Sequence, residues 1–89
     1  MRSQSVTIAN QLGLHARAAA RFVQVASKYK AHIKVTRGTQ TMDGKSIMGI
    51  LLLSAGLGAV LTISADGVDE QAAVTALCEL VESGFGEDT

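Results

Sequence analysis

Alternating apolar and polar residues open the chain. Val6 and Ile8 alternate with Ser5, Thr7 and Ala9, the period of a strand with one face turned to a core. Residues 10–13 follow as a loop. From residue 16 to about residue 27 the period lengthens. Ala19, Phe22, Val23 and Ala26 recur at three- and four-residue spacing, while Arg17, Arg21, Gln24 and Lys28 fall largely on other faces. That pattern predicts an amphipathic helix. Residues 32–37 alternate again, with Ile33 and Val35 pointing one way. Gly38 then turns the chain into a short strand at residues 40–42, so the two segments read as a hairpin. Asp43-Gly44 is a turn signal. Ser46 stands where an N-cap opens a short helix to about Leu52, ended by Gly56 and Gly58. Residues 60–65 alternate with Leu61, Ile63 and Ala65 on one face, and Asp66-Gly67 turns the chain once more. Asp69 is placed to cap a last helix with Ala73, Ala76, Leu77, Leu80 and Val81 on one side. Gly84 is its stop, and residues 85–89 read as a frayed tail.

The predicted order is β-α-β-β-α-β-α. Each strand has one apolar face, so the natural solution is a four-stranded antiparallel sheet covered on one side by three helices, an α+β open-faced sandwich. Residues 1–89 are short enough for one domain only. Apolar residues make up 47% of the chain but aromatics only 3%, so the core must be aliphatic. The single cysteine, Cys78, sits in the apolar region of the last helix and reads as a buried thiol. It has no intramolecular disulfide partner, which fits a reducing compartment and an expected cytoplasmic location. The first residues carry no signal-peptide pattern. The longest apolar run, Ile50 to Ala55, is broken by Ser54 and is far too short for a membrane span.

Charge changes the picture more than composition does. The net charge is zero, yet all eight basic residues and one acidic residue, Asp43, lie in residues 1–45, which therefore carry +7; residues 46–89 carry −7. Either the two sets interleave in space, or a basic face near His15 meets an acidic partner. One Tyr and two Phe, with no dense basic cluster, leave little for nucleic-acid binding.

The chemistry concentrates at Gly13-Leu14-His15-Ala16-Arg17. A histidine at the foot of a helix stands beside unpaired N–H groups and the positive end of the dipole, which together bind anions, phosphate above all. Neutral imidazole is a good nucleophile, and the Arg17 guanidinium can hold phosphate oxygens in a bidentate fork. The combination points to a histidine that carries a phosphoryl group. Its rivals are weaker. His32 opens a strand and reads as a surface residue. Two histidines and one cysteine lack metal-ligand spacing. Gly44-Lys45-Ser46 invites a phosphate-loop reading, but Gly38 leaves five intervening residues where four are required, and no βαβ unit surrounds it.

The Gly-Leu-His-Ala-Arg run, the Lys-Ser-Ile-Met-Gly-Ile segment around Ser46 and the final helix together resemble the HPr family of phosphocarriers, including its nitrogen-system NPr branch, over nearly the whole chain. The resemblance implies the sheet order 1-4-2-3 and a carrier within a relay rather than a stand-alone enzyme. It implies that His15 accepts phosphate from enzyme I and donates it to a downstream acceptor of EIIA type. Arg17 and the N–H groups of Ala16 and Arg17 hold the phosphate. Ser46 is implied as a regulatory phosphorylation site for an HPr-type serine kinase, and Ala20, Ile47, Met48 and Leu51 as partner contacts. No metal or cofactor is implied, nor a nucleic-acid or membrane partner. The chain departs from the family signature in two places. Ala18 replaces the proline that usually follows the arginine, although alanine is itself a strong helix former. Ala16 lacks the hydroxyl that some members carry.

Overall fold

The computed structural model describes residues 1–86. The elements run β1 (Arg2–Thr7), α1 (Ala16–Ala26), β2 (His32–Arg37), β3 (Gln40–Asp43), α2 (Ile47–Leu52), β4 (Val60–Asp66) and α3 (Glu70–Glu82), followed by a 3₁₀ turn at Gly84–Gly86. The sheet is antiparallel with the order β1-β4-β2-β3, as the resemblance implied. Register explains the layering. Val6 pairs with Leu61, Ile33 with Ala65 and Val35 with Ile63, so these six side chains share the face beneath the helices and are all buried. The opposite face carries Ser5, Thr62, Thr36 and Thr41 in one row, linked by hydroxyl contacts between Ser5 and Thr62 and between Thr36 and Thr41.

From the helices, Ala18, Ala19, Phe22 and Ala26 of α1, Ile50 of α2, and Ala73, Val74, Leu77, Cys78 and Val81 of α3 complete the core. The expected stripe of α3 is therefore rotated slightly. Ala76 and Leu80 are half-buried, and Val74 and Cys78 take the deeper places. Burial pushes the Cys78 thiol pKa up, so this sulfur is an inert core residue.

Four expectations need correction. The first strand was expected at residues 5–9 but begins at Arg2, because the polar Arg2, Ser3 and Gln4 ladder with Ala65, Ser64 and Ile63 on β4. Ile8 lies past its end yet stays buried, held by a backbone bond to Ala59. The helix α2 ends at Leu52, as expected, but neither Gly56 nor Gly58 makes the turn that ends it. Ser54 turns the chain there with φ of 49°, and the Arg37 guanidinium donates to the Leu53 and Ser54 carbonyls that the helix end leaves unpaired.

Asp69 holds the N-cap position of α3 but makes no side-chain cap bond. Its two carboxylate oxygens accept instead from the backbone N–H groups of Lys30 and Ala31, at 2.8 and 2.9 Å, tying the start of α3 to the loop before β2. Glu70 takes over locally by accepting from the Gly67 N–H. Finally, Phe85 belongs to the core and not to a frayed tail. It is 1% exposed, and its carbonyl accepts a 2.8 Å bond from Arg21 of α1. The rest of that expected tail, residues 87–89, lies outside the described residues.

The Lys30 N–H bond, helped by Ala31 and by the charge of Lys45, holds the Asp69 carboxyl below its ordinary pKa of 3.8 against the opposing effect of burial. A carboxyl depressed on folding stabilises the native state above its unfolded pKa, and that contribution is lost as the pH falls through the folded value. Asp69→Asn is therefore expected to melt lower than the wild type at neutral pH, with the gap closing below 3.8. Thermal melts from about pH 7 to about pH 2 check this, and a gap that persists unchanged into acid contradicts it.

Candidate functional site

His15 occupies the N-cap of α1 in extended backbone, φ −75° and ψ 177°. That geometry lets its carbonyl begin the helix by accepting from Ala19 at 2.9 Å. Its imidazole folds back over the first turn, where Nδ1 accepts the Arg17 N–H at 3.2 Å. The ring thus takes the place of the short oxygen-bearing side chain that usually caps a helix. In the neutral ring an accepting Nδ1 leaves the proton on Nε2. The first turn of α1 contains no acidic residue, so nothing there opposes an incoming anion. His15 is half-buried, and Ala16 and Arg17 are exposed beside it.

The loop before His15 is fixed on both sides. The Asn10 side-chain amide donates to the Gly13 carbonyl at 2.9 Å, and the Gly13 N–H returns a 3.2 Å bond to the Asn10 carbonyl. Leu14 is buried, and its N–H bonds to Ala55 at 2.8 Å. Gly13 has φ of 65° and lies so close to Ala55 and Gly56 that a Cβ would collide with backbone atoms of both. Only glycine meets both demands, the left-handed backbone and the close approach.

Ser46 caps α2 as expected, its Oγ accepting from Gly49 at 3.1 Å. Lys45 ties the same turn to the segment just after α1 through the Tyr29 carbonyl at 2.7 Å. Of the expected contact residues, Ile47 is 44% and Met48 68% exposed. Ala20 and Leu51 are half-buried, and Leu51 packs against the core. The exposed leucine of α2 is Leu52 instead. Leu12, in the His15 loop, and Leu57, just past the Ala55–Gly56 platform, are also exposed; neither was singled out from the sequence. α2 packs against α1, which brings Ile47 and Met48 into the same layer as the helix that His15 opens. His32 is exposed on β2, away from His15. It lines shallow hollows on the uncovered face of the sheet with Lys34, Ser64 and Asp66. Neither hollow is lined by His15, Ala16 or Arg17, so the exposed N-terminus of α1 is the candidate site. Among the described residues no three His, Cys, Asp or Glu side chains are grouped as metal ligands. No described helix is long and apolar enough to cross a membrane.

A sheet of this order, with a histidine capping its first helix over an N-terminus clear of acidic residues, defines the structural class. Comparison with known proteins gives the class its name. Residues 2–83 match the family model described as the PTS HPr component phosphorylation site. The chain is 45% identical over 87 residues to the phosphocarrier protein HPr of Cupriavidus necator, covering 98% of each chain. It is 40% identical over 84 residues to the phosphocarrier protein NPr of Shewanella violacea, covering 94% of this chain and 92% of that one. The crystal structure of HPr-C-His from Thermoanaerobacter tengcongensis superposes with a TM-score of 0.95 at 46% identity and full coverage of both chains. The chain belongs to the HPr family, the phosphocarrier proteins of the phosphotransferase system.

Proposed function

We propose that His15 accepts a phosphoryl group on Nδ1 from phospho-enzyme I and hands it to a downstream acceptor of EIIA type. The observation that supports this most is the contact between Nδ1 and the Arg17 N–H at the foot of α1. It puts the nucleophilic lone pair beside donors that suit an anion. In the forward step the lone pair forms the new N–P bond as the donor histidine's N–P bond breaks, its electrons returning to the donor nitrogen. The Arg17 N–H then exchanges the imidazole nitrogen for a phosphoryl oxygen. The Arg17 guanidinium and the Ala16 N–H supply further charge and hydrogen bonding. Such transfers rest on in-line placement and on stabilising charge already in position. The return step runs the same exchange in reverse. Incubation with enzyme I and phosphoenolpyruvate, followed by intact mass and acid treatment, tests the proposal. One acid-labile phosphate per chain is expected; a chain that gains none does not carry phosphate from this donor.

The Ser46 side of the reading is regulatory. Phosphorylation by an HPr-type serine kinase would set about −1.5 to −2 charges at the rim of the exposed Ile47 and Met48. An apolar patch that docks on partners then bears a desolvation cost and repels acidic ones. Ser46→Asp is expected to keep α2 capped, since aspartate is a good N-cap, and to change stability by less than about 1 kcal/mol. Its affinity for enzyme I and its rate of His15 phosphorylation are expected to fall. Calorimetric titration and transfer kinetics decide the matter; unchanged values leave Ser46 as a cap alone.

A further inference from the structure

Asn10 is the one buried polar side chain among the described residues, 1% exposed in an otherwise aliphatic core. A buried amide is costly unless it is hydrogen-bonded, and an apolar residue of similar size would fill the same space. Where its bonds go is therefore informative. The side-chain amide donates to the Gly13 carbonyl at 2.9 Å and the Asn10 carbonyl accepts from the Gly13 N–H at 3.2 Å. This reciprocal pair closes residues 10–13 into a ring. The next N–H, on Leu14, is held by the Ala55 carbonyl at 2.8 Å, and the next residue is His15. Gly13, which presses on Ala55 and Gly56 with no room for a Cβ, seats the ring on the α2–β4 segment. The backbone leading into the histidine is therefore fixed before the helix begins, and the first link of that chain is the Asn10 amide.

We infer that Asn10 is a positioning residue for phosphoryl transfer, setting the direction from which the His15 imidazole meets the Arg17 N–H. The inference rests on the reading of His15 as the phosphoryl acceptor. Asn10 acts through the Gly13–Leu14 backbone. A ring free to swing off the Arg17 N–H loses in-line placement, and a misplacement of about 1 Å can cost on the order of a hundredfold in rate. The exposed Ile47 and Met48 of α2, the expected partner contacts, lie outside the loop of residues 10–13. The loss is therefore expected in the turnover rate and not in the apparent affinity for the donor.

Asn10→Ala is the test, run well below the melting temperature of each protein. Turnover in phosphoryl transfer from phospho-enzyme I is expected to fall at least about tenfold, with KM changed by less than about twofold. Hydrogen exchange at the Arg17 amide is expected to accelerate by about tenfold or more, while the amides of Leu61 and Ile63 in β4 keep their protection relative to global stability. Asn10→Ser, which removes less volume, repeats both measurements should the alanine variant not fold. Lower melting with unchanged turnover and unchanged Arg17 exchange would make Asn10 a packing residue and overturn the inference. The two readouts also separate this inference from the reading it rests on. A wild-type chain that accepts no phosphate refutes the phosphocarrier role of His15, whereas Arg17 exchange still reports whether Asn10 holds the loop.

Discussion

His15→Ala is expected to take up no acid-labile phosphate from enzyme I while remaining folded. If His15 is the acceptor proposed above, the substitution removes the nucleophile and with it the covalent route. The remaining N–H groups and Arg17 can bind phosphate but cannot carry it. The structural cost is small because His15 is half-buried at the N-terminus of α1, where its ring caps the helix at the Arg17 N–H. Loss of a helix cap costs about 1 kcal/mol, which for a chain of this length lowers the melting temperature by about 4–8 °C. Intact mass after incubation with enzyme I and phosphoenolpyruvate reads the first expectation, and a thermal melt reads the second. Acid-labile phosphate on the variant would move the carrier role to another group, His32 first among them.

The largest effect on stability is expected at Phe85→Ala. Phe85 is 1% exposed and closes the end of the core between α1 and α3. Truncating a buried phenylalanine costs about 3–5 kcal/mol. A domain of this size is stable by only about 4–13 kcal/mol in all, so the variant should be near the edge of folding at physiological temperature. Urea unfolding gives the comparison directly. An unfolding free energy within about 1 kcal/mol of the wild type would show the turn at Gly84–Gly86 to be dispensable. The bond from Arg21 to the Phe85 carbonyl adds to the expectation, since it ties the same turn to α1.

Phe85 also shows what the sequence conceals. Following Gly84 and two places before the acidic pair Glu87-Asp88, it resembles the start of a loose tail. Its burial depends on a left-handed backbone, φ 60°, and on an arginine 64 residues away. Asp69 is similar. Asp before an apolar-periodic run reads locally as a cap, yet its carboxylate goes to two backbone groups 38 and 39 residues earlier. In α2 nearly every residue is apolar, so periodicity could not fix its phase. Leu51, expected among the partner contacts, is half-buried, and the exposed leucine of this helix is Leu52.

The elements carrying the chemistry were easier to read because their determinants are local. His15 lies two residues from the N–H its ring accepts, and Ser46 three residues from its own. The alternation of β2 and β4 placed Ile33, Val35, Leu61, Ile63 and Ala65 on the buried face. The order of the strands came from family resemblance, since alternation says which face is buried and nothing about which neighbour covers an edge. Asn10 was read only as a loop residue; a burial that needs Gly13, Leu14 and Ala55 in place leaves no periodic signal.

The central claim is that His15 carries the phosphoryl group on Nδ1, the nitrogen that meets the Arg17 N–H. Nitrogen and phosphorus NMR of the ¹⁵N-histidine-labelled protein, charged by enzyme I and phosphoenolpyruvate, tests it most directly. The expected result is a one-bond phosphorus coupling at Nδ1 of His15, with the Arg17 amide shifting as it takes up a phosphoryl oxygen and His32 unchanged. A coupling at Nε2 of His15, at either nitrogen of His32, or at no histidine would contradict the account.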